Sequence, residues 1–238
     1  MAKGCDYSFS RPSITALKNA GYKFACRYVG GSASKRITAI EARNLWANGI
    51  DIVTNFEQFP TQPLQGRAQG IADAKLADAQ HKAAGGPPNA PIYFSADFDV
   101  QPHQMGAVAA YIAGCSSWLG SSRTGVYGGL GVVKWMADNA VCHYFWQTYA
   151  WSHGRWDARA HIQQYQNGVN IGGGQIDLDR SMHPDFGAWH GPQGNQTLVP
   201  VTAGAWDPLP GMYAVTGHLW DLARNLNRYA ASIKSIRK

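Results

Sequence analysis

No stretch of the 238 residues approaches the roughly 18 consecutive apolar residues of a membrane-crossing helix, so no transmembrane segment is expected. The opening residues, MAKGCDYSFS, carry no apolar h-region, which argues against a Sec signal and for synthesis as a cytoplasmic product. Cysteine is scarce: Cys5, Cys26, Cys115 and Cys142 form no CxxC pair. Zinc-ribbon and redox motifs are thereby excluded, and free buried thiols are expected. HExxH and close Cys/His spacing are missing, which excludes the common zinc sites. There is no GxSxG for a nucleophile elbow and no GxGxxG after the first strand for a dinucleotide fold. No cofactor or metal is expected; a cation held by Asp97/Asp99 with Asp177/Asp179 is the lesser alternative. The net charge of +6 comes from 21 basic against 15 acidic residues, but no basic cluster interleaves with aromatics, so no nucleic-acid groove is expected. A mild positive charge favours approach to an anionic polymer.

What is present is an alternation of short β-rich runs and longer helical segments. Strands are expected at 4–7, 23–29, 50–56, 91–97, 124–127, 144–149, 162–165 and 175–178. Helices are expected at 13–20, 38–48, 66–84, 104–119 and 130–139, with 157–160 a remnant. Ser13 and Thr38 read as N-caps, Thr38 with Glu41 as a capping box, and Gly21 and Gly49 as stops. Strand–helix alternation implies a parallel sheet. Eight strands in so short a span imply an α/β fold, a single parallel (β/α)8 TIM-type barrel, over residues 1–189. The Gly-rich NIGGGQ at 170–175 leads into a strand rather than a helix, so it reads as a hairpin-like turn and not a phosphate cradle. Residues 190–212, rich in Pro, Gly and Thr, read as a linker or extended arm. Residues 213–238 have helical spacing, with Val215, Leu219, Leu222, Leu226, Tyr229 and Ile233 in one stripe and basic residues mostly off it. That C-terminal helix could dock on the barrel, meet another subunit, or lie on a membrane surface.

Acids recur at the expected strand ends: Asp6, Glu57, Asp97 with Asp99, and Asp177 with Asp179. Residues two apart on a strand point the same way, so both Asp97/Asp99 and Asp177/Asp179 can face the barrel mouth if their strands continue through them. Glycoside hydrolysis needs two carboxyl groups on one bond, one protonated and one ionised. Crowded acids in a walled pocket raise the pKa of at least one of them. Beside them, Arg27 could pair with an acid, and Tyr127, Gln147 and Gln164 could offer hydrogen bonds. Tyr28, Tyr149, Trp151 and Trp156 are candidates for sugar stacking.

At these residues the chain resembles a glycoside-hydrolase-like barrel family of actinobacteria and their phages. The resemblance rests on CDYS (5–8) with Pro12, RYVGG (27–31) with Ser34 and Lys35, NFE (55–57), YFSADFD (93–99), GVYGG (125–129), WQTYAWS (146–152) and QYQNG through IDLD (164–179). It covers about residues 4–189. More distantly the chain is similar to the family 25 lysozymes, which also open with Asp-x-Ser and carry Asp-x-Glu after strand four. The resemblance implies peptidoglycan or a related bacterial cell-wall polysaccharide as substrate. Asp6, Asp97 and Asp179 match the lysozyme pattern, whereas Asp99 stands where the lysozymes place the proton-donating Glu. Either Asp99 acts with altered reach, or Glu57 is the donor with Asp97 as partner, or glycan binding alone remains. The expected function is a glycosidase of the cell wall, released at lysis or carried in a phage particle. The alternative is a glycan-binding or structural component of a phage tail, with protein partners or a second copy meeting residues 190–238.

Overall fold

The computed structural model describes residues 1–191; the expected arm and terminal helix lie outside them. Eight strands close a barrel in chain order: β1 (Lys3–Asp6), β2 (Phe24–Val29), β3 (Asp51–Phe56), β4 (Ile92–Ser95), β5 (Thr124–Gly128), β6 (Tyr144–Thr148), β7 (Ile162–Ile171) and β8 (Gly174–Ser181). The helices α1 (Ile14–Asn19), α2 (Ala39–Ala47), α3 (Gly66–Ala83), α4 (Met105–Leu119) and α5 (Leu130–Asp138) follow β1 to β5 in turn. Ser13 accepts from the Ala16 N–H to start α1, and Thr38 from the Glu41 N–H to start α2. Only this forward half of the expected capping box forms, because the Glu41 carboxylate is taken by Arg11 and Arg27. Among the described residues no helix is long and apolar enough to cross a membrane.

The fully parallel (β/α)8 TIM-type barrel is not what forms. Strands β1 to β7 run parallel, but β8 is antiparallel to both neighbours, β7 and β1. Among the described residues no helix follows β6 or β7. The reason lies at Gly172–Gly173. A parallel crossover needs about a dozen residues, and two can only reverse the chain. Both glycines take positive φ, 55° and 80°, the left-handed pair that a two-residue hairpin demands. The result is a closed mixed barrel, mostly parallel.

Alternation sorts the side chains into two cores. Outside the strands, Ile52, Ile92, Phe94 and Val126 pack with the helices at zero exposure. Each such side chain contributes roughly 1.5–3 kcal/mol by burial. Inside the barrel, Phe24, Cys26, Val53, Tyr93, Tyr144, Trp146 and Ile162 form a separate apolar plug. All four cysteines are free and buried. The apolar plug gives way to polar side chains towards the C-terminal ends of the parallel strands.

Candidate active site

That rim is built by the same period-two rule. On β2 the pair Arg27–Tyr28 splits, with Arg27 fully buried on the outer side and Tyr28 facing the interior. Glu57 directly follows β3. Strand β4 ends at Ser95; the Ala96 N–H extends the ladder one step to Tyr127 O, and Asp97 follows in the loop. Because β8 runs backwards, Asp177 lies near its start and opposite Asp6, while Asp179 sits one layer deeper, opposite Gly4.

The floor of the site is a carboxyl pair. Asp6 is 3% exposed and accepts from Tyr28 Oη at 3.1 Å and from Gln164 Nε2 at 2.7 Å. Asp179 is 0% exposed; its Oδ1 accepts from Trp146 Nε1 at 2.9 Å, and its Oδ2 has no partner. Burial, followed by the charge of Asp177, pushes Asp6 up to about 7. Burial and the charge of Asp6 push Asp179 well above the usual carboxylate range. A buried bare oxygen beside a carboxylate is costly; a proton on it, donated to Asp6, removes that cost. The two therefore titrate as one unit that holds a proton towards neutral pH.

Above the floor opens a cleft of about 450 Å³, lined by Asp6, Tyr28, Lys35, Glu57, Asp97 and Asp177 among others. Lys35 Nζ donates to Glu57 Oε1 at 2.8 Å and lies 4.3 Å from the centre of the Tyr28 ring. Asp97 carries no such partner charge of its own. Burial, and next the facing charge of Glu57, raise it to about 6, with Lys35 and Tyr127 opposing. Asp177 is raised by burial, against a hydrogen bond from the Gly168 N–H at 2.8 Å. The Tyr28 and Tyr127 phenols are held protonated by burial and by the facing carboxylates. Tyr127 donates to Gln164 Oε1 at 2.9 Å, which passes its own N–H to Asp6. Among the described residues no group of three or more His, Cys, Asp or Glu is placed to hold a metal ion.

Of the residues singled out by sequence, Asp6, Tyr28, Glu57, Asp97 and Asp177 meet in this cleft, with Tyr127, Gln164 and Asp179 beneath it. Asp99 is exposed and lines a neighbouring groove with Trp151. Strand β4 stops before either aspartate, so the two-residue alternation does not carry Asp99 to the same side as Asp97. Arg27 pairs with Glu41 at 2.7 Å and donates to the backbone carbonyl of Tyr7, clamping α2 and the β1 loop. Gln147 points outward and ties down the loop after β6. Tyr149 is 43% exposed. Three participants carry no assigned role in the sequence: Lys35 and Trp146, which stand within the quoted motifs, and Phe9, a 62% exposed ring on the cleft. Trp146 was legible, since it alternates with outward Gln147; Phe9 and Lys35 lie on loops.

Residues 15–183 match the family model described as Rv2525c-like, glycoside hydrolase-like domain. The Mycobacterium tuberculosis protein named "Putative peptidoglycan hydrolase Rv2525c" is 31% identical over 197 residues, covering 77% of this chain and 82% of the relative. The crystal structure of the Mycobacterium tuberculosis Tat-secreted protein Rv2525c, with L-tartrate, superposes with a TM-score of 0.75 at 30% identity, covering 79% of this chain and 98% of that one. The catalytic domain of endolysin ply40, from bacteriophage P40 of Listeria monocytogenes, superposes at a TM-score of 0.52 and 14% identity, over 78% of this chain and 95% of that one, a likeness of fold alone. The Tat-secreted relative overturns the expectation of a cytoplasmic product that reaches the wall only at lysis or in a particle.

Proposed function

The chain belongs to the Rv2525c-like, glycoside hydrolase-like family, and from that premise we propose that it cleaves glycosidic bonds in bacterial cell-wall glycan with Asp97 and Glu57. One observation carries the reading. A single cleft holds a carboxyl raised to about 6, Asp97, beside a carboxylate in an ion pair, Glu57 with Lys35. That is the division of labour glycoside hydrolysis requires, with one group to protonate the leaving oxygen and one to act while charged. Asp97 is the proton donor in this reading and Glu57 the ionised partner. Asp6 and Asp179 form the floor that orients Tyr28 and, through Gln164, Tyr127. Asp99 takes no part in proton transfer, since it faces the neighbouring groove.

The test is reducing-sugar release from purified actinobacterial peptidoglycan. Glu57→Gln and Asp97→Asn should each lose at least about 100-fold, the range of general acid–base catalysis. Asp99→Asn should lose less than about tenfold. The wild-type rate should fall as pH rises through about 6, where Asp97 gives up its proton. A rate unaffected by Asp97→Asn would remove the donor assignment. A second reading, glycan binding without turnover, is favoured by one fact: the cleft's sole glutamate, Glu57, is already engaged by Lys35. Folded protein that sediments with cell walls but releases no sugar at any pH would select that reading.

A further inference from the structure

Beside the acid cleft lies a second groove, of about 430 Å³, between the segment after β4 and the loop after β6. Asp97 faces the acid cleft, and the next two residues, Phe98 and Asp99, line the groove. A polymer laid across the first site therefore has a second one directly over the wall.

The loop after β6 is held in an unfavourable shape. Trp151 and His153 take φ of 55° and 50°, in the left-handed region that non-glycine residues seldom occupy. Buried polar groups hold them there. Gln147, 0% exposed, donates to Ser152 Oγ at 3.1 Å and to Arg155 O at 2.8 Å, and accepts from the Asp157 N–H at 2.8 Å. Ser152 Oγ donates to Thr148 O at 2.6 Å and accepts from the Leu130 N–H at 3.0 Å. Gly129 lets the loop close, since a Cβ there would lie 3.1 Å from that of Trp151. Core packing gains little from this, because Trp151 is half-buried and His153 and Arg155 are exposed. Strain sustained without a packing gain marks a surface shaped for a ligand. Among the described residues the Arg155 guanidinium has no hydrogen bond or ion pair, whereas Lys134 across the groove is engaged by Asp138 at 2.8 Å.

We propose that this groove binds the glycan next to the bond being cut, with Trp151 stacking on a sugar face and Arg155 selecting a carboxylate-bearing sugar. The assignment rests on the glycan reading above. Arg155 offers a planar fork that matches a carboxylate. Asp99 on the opposite wall repels one, so an acidic sugar is turned towards Arg155.

The test is calorimetric binding to the full chain carrying Glu57→Gln, which prevents turnover. The probes are chitotetraose, which is neutral, and the alternating N-acetylglucosamine–N-acetylmuramic acid tetrasaccharide, which carries carboxylates. The acidic probe should bind about tenfold more tightly at about 50 mM NaCl, and the margin should shrink at about 500 mM. Arg155→Gln should erase the margin and leave chitotetraose binding alone, while Arg155→Lys should restore part of it. Trp151→Asn, which tolerates the left-handed conformation, should weaken both probes about tenfold. Equal affinity for the two probes, failure to bind either, or a margin that survives Arg155→Gln would overturn the proposal. A groove that prefers the acidic probe in a protein that releases no sugar would leave this inference standing and remove the hydrolytic one. Hydrolysis without the preference would do the reverse.

Discussion

Asp179→Asn should stabilise the protein at pH 8 and do much less at pH 4. In the unfolded chain both Asp6 and Asp179 ionise near 4. In the folded chain Asp6 is raised to about 7 and Asp179 well above its ordinary value, chiefly by burial. Between those limits the native state binds more protons than the unfolded one, so stability falls as pH rises from about 4 through about 7. The shift of Asp6 alone, from 3.8 to about 7, corresponds to at most about 4 kcal/mol at 1.36 kcal/mol per unit. Asparagine keeps the oxygen that accepts from Trp146 and puts an NH2 where Oδ2 now has no partner. That NH2 can donate to Asp6, which removes one buried titration and eases the other. A gain of about 2–4 kcal/mol at pH 8 is expected, or roughly 5–15 °C in Tm for a chain of this size. Thermal melts of both proteins from pH 4 to pH 8 at fixed ionic strength measure it. Equal shifts at both ends, or a loss at pH 8, would refute the shared-proton account. Wall hydrolysis should fall in the variant even as stability rises, because the carboxyl floor that orients Tyr28 and, through Gln164, Tyr127 is altered.

The Lys35→Met change should lower kcat and move the falling limb of the pH–rate profile above 6, since Lys35 is the charge that opposes the rise in Asp97; Lys35→Arg should restore the limb. Arg27→Met leaves the Glu41 carboxylate and the Tyr7 carbonyl without their buried donor and should cost about 3–5 kcal/mol in urea unfolding, the part due to the stranded carboxylate being recovered when Glu41→Leu is added. His161 is lowered to about 4 by burial and by His183 and His143, so its contribution is lost as pH falls from about 6.5 through 4. His161→Gln, which keeps an acceptor for the Phe145 N–H, should flatten that acid limb by roughly 1–2 kcal/mol after discounting for its partial exposure.

Spacing along the chain carries side-chain direction only as far as the strand itself runs. The runs read as strands at 23–29, 50–56 and 124–127 lie within a residue of β2, β3 and β5, but Arg27 and Tyr28, both site candidates by position, fall on opposite faces of β2, and only Tyr28 meets the cleft. Asp177 and Asp179 share a face for the same reason, because β8 spans both. Beyond a strand's last hydrogen bond the rule lapses. The run read as 91–97 ends at Ser95, so tertiary contacts decide where Asp97 and Asp99 point, and they send the two to different clefts. Lys35 illustrates the same limit from the other side. It stands just after the RYVGG motif, but nothing in its local sequence says that it faces a carboxylate. It reaches Glu57 because the loop after β2 is folded back onto the barrel, with Ile37 N–H bonded to Tyr28 O. The direction of β8 was different in kind, since its determinant was in plain view. A hairpin-like turn at Gly172–Gly173 and a parallel eighth strand are mutually exclusive, because two residues can reverse a chain but cannot carry it back to the far end of a barrel. Connection length therefore outranks strand–helix alternation wherever the two disagree, and here it places the buried carboxyl of Asp179 below the rim rather than on it.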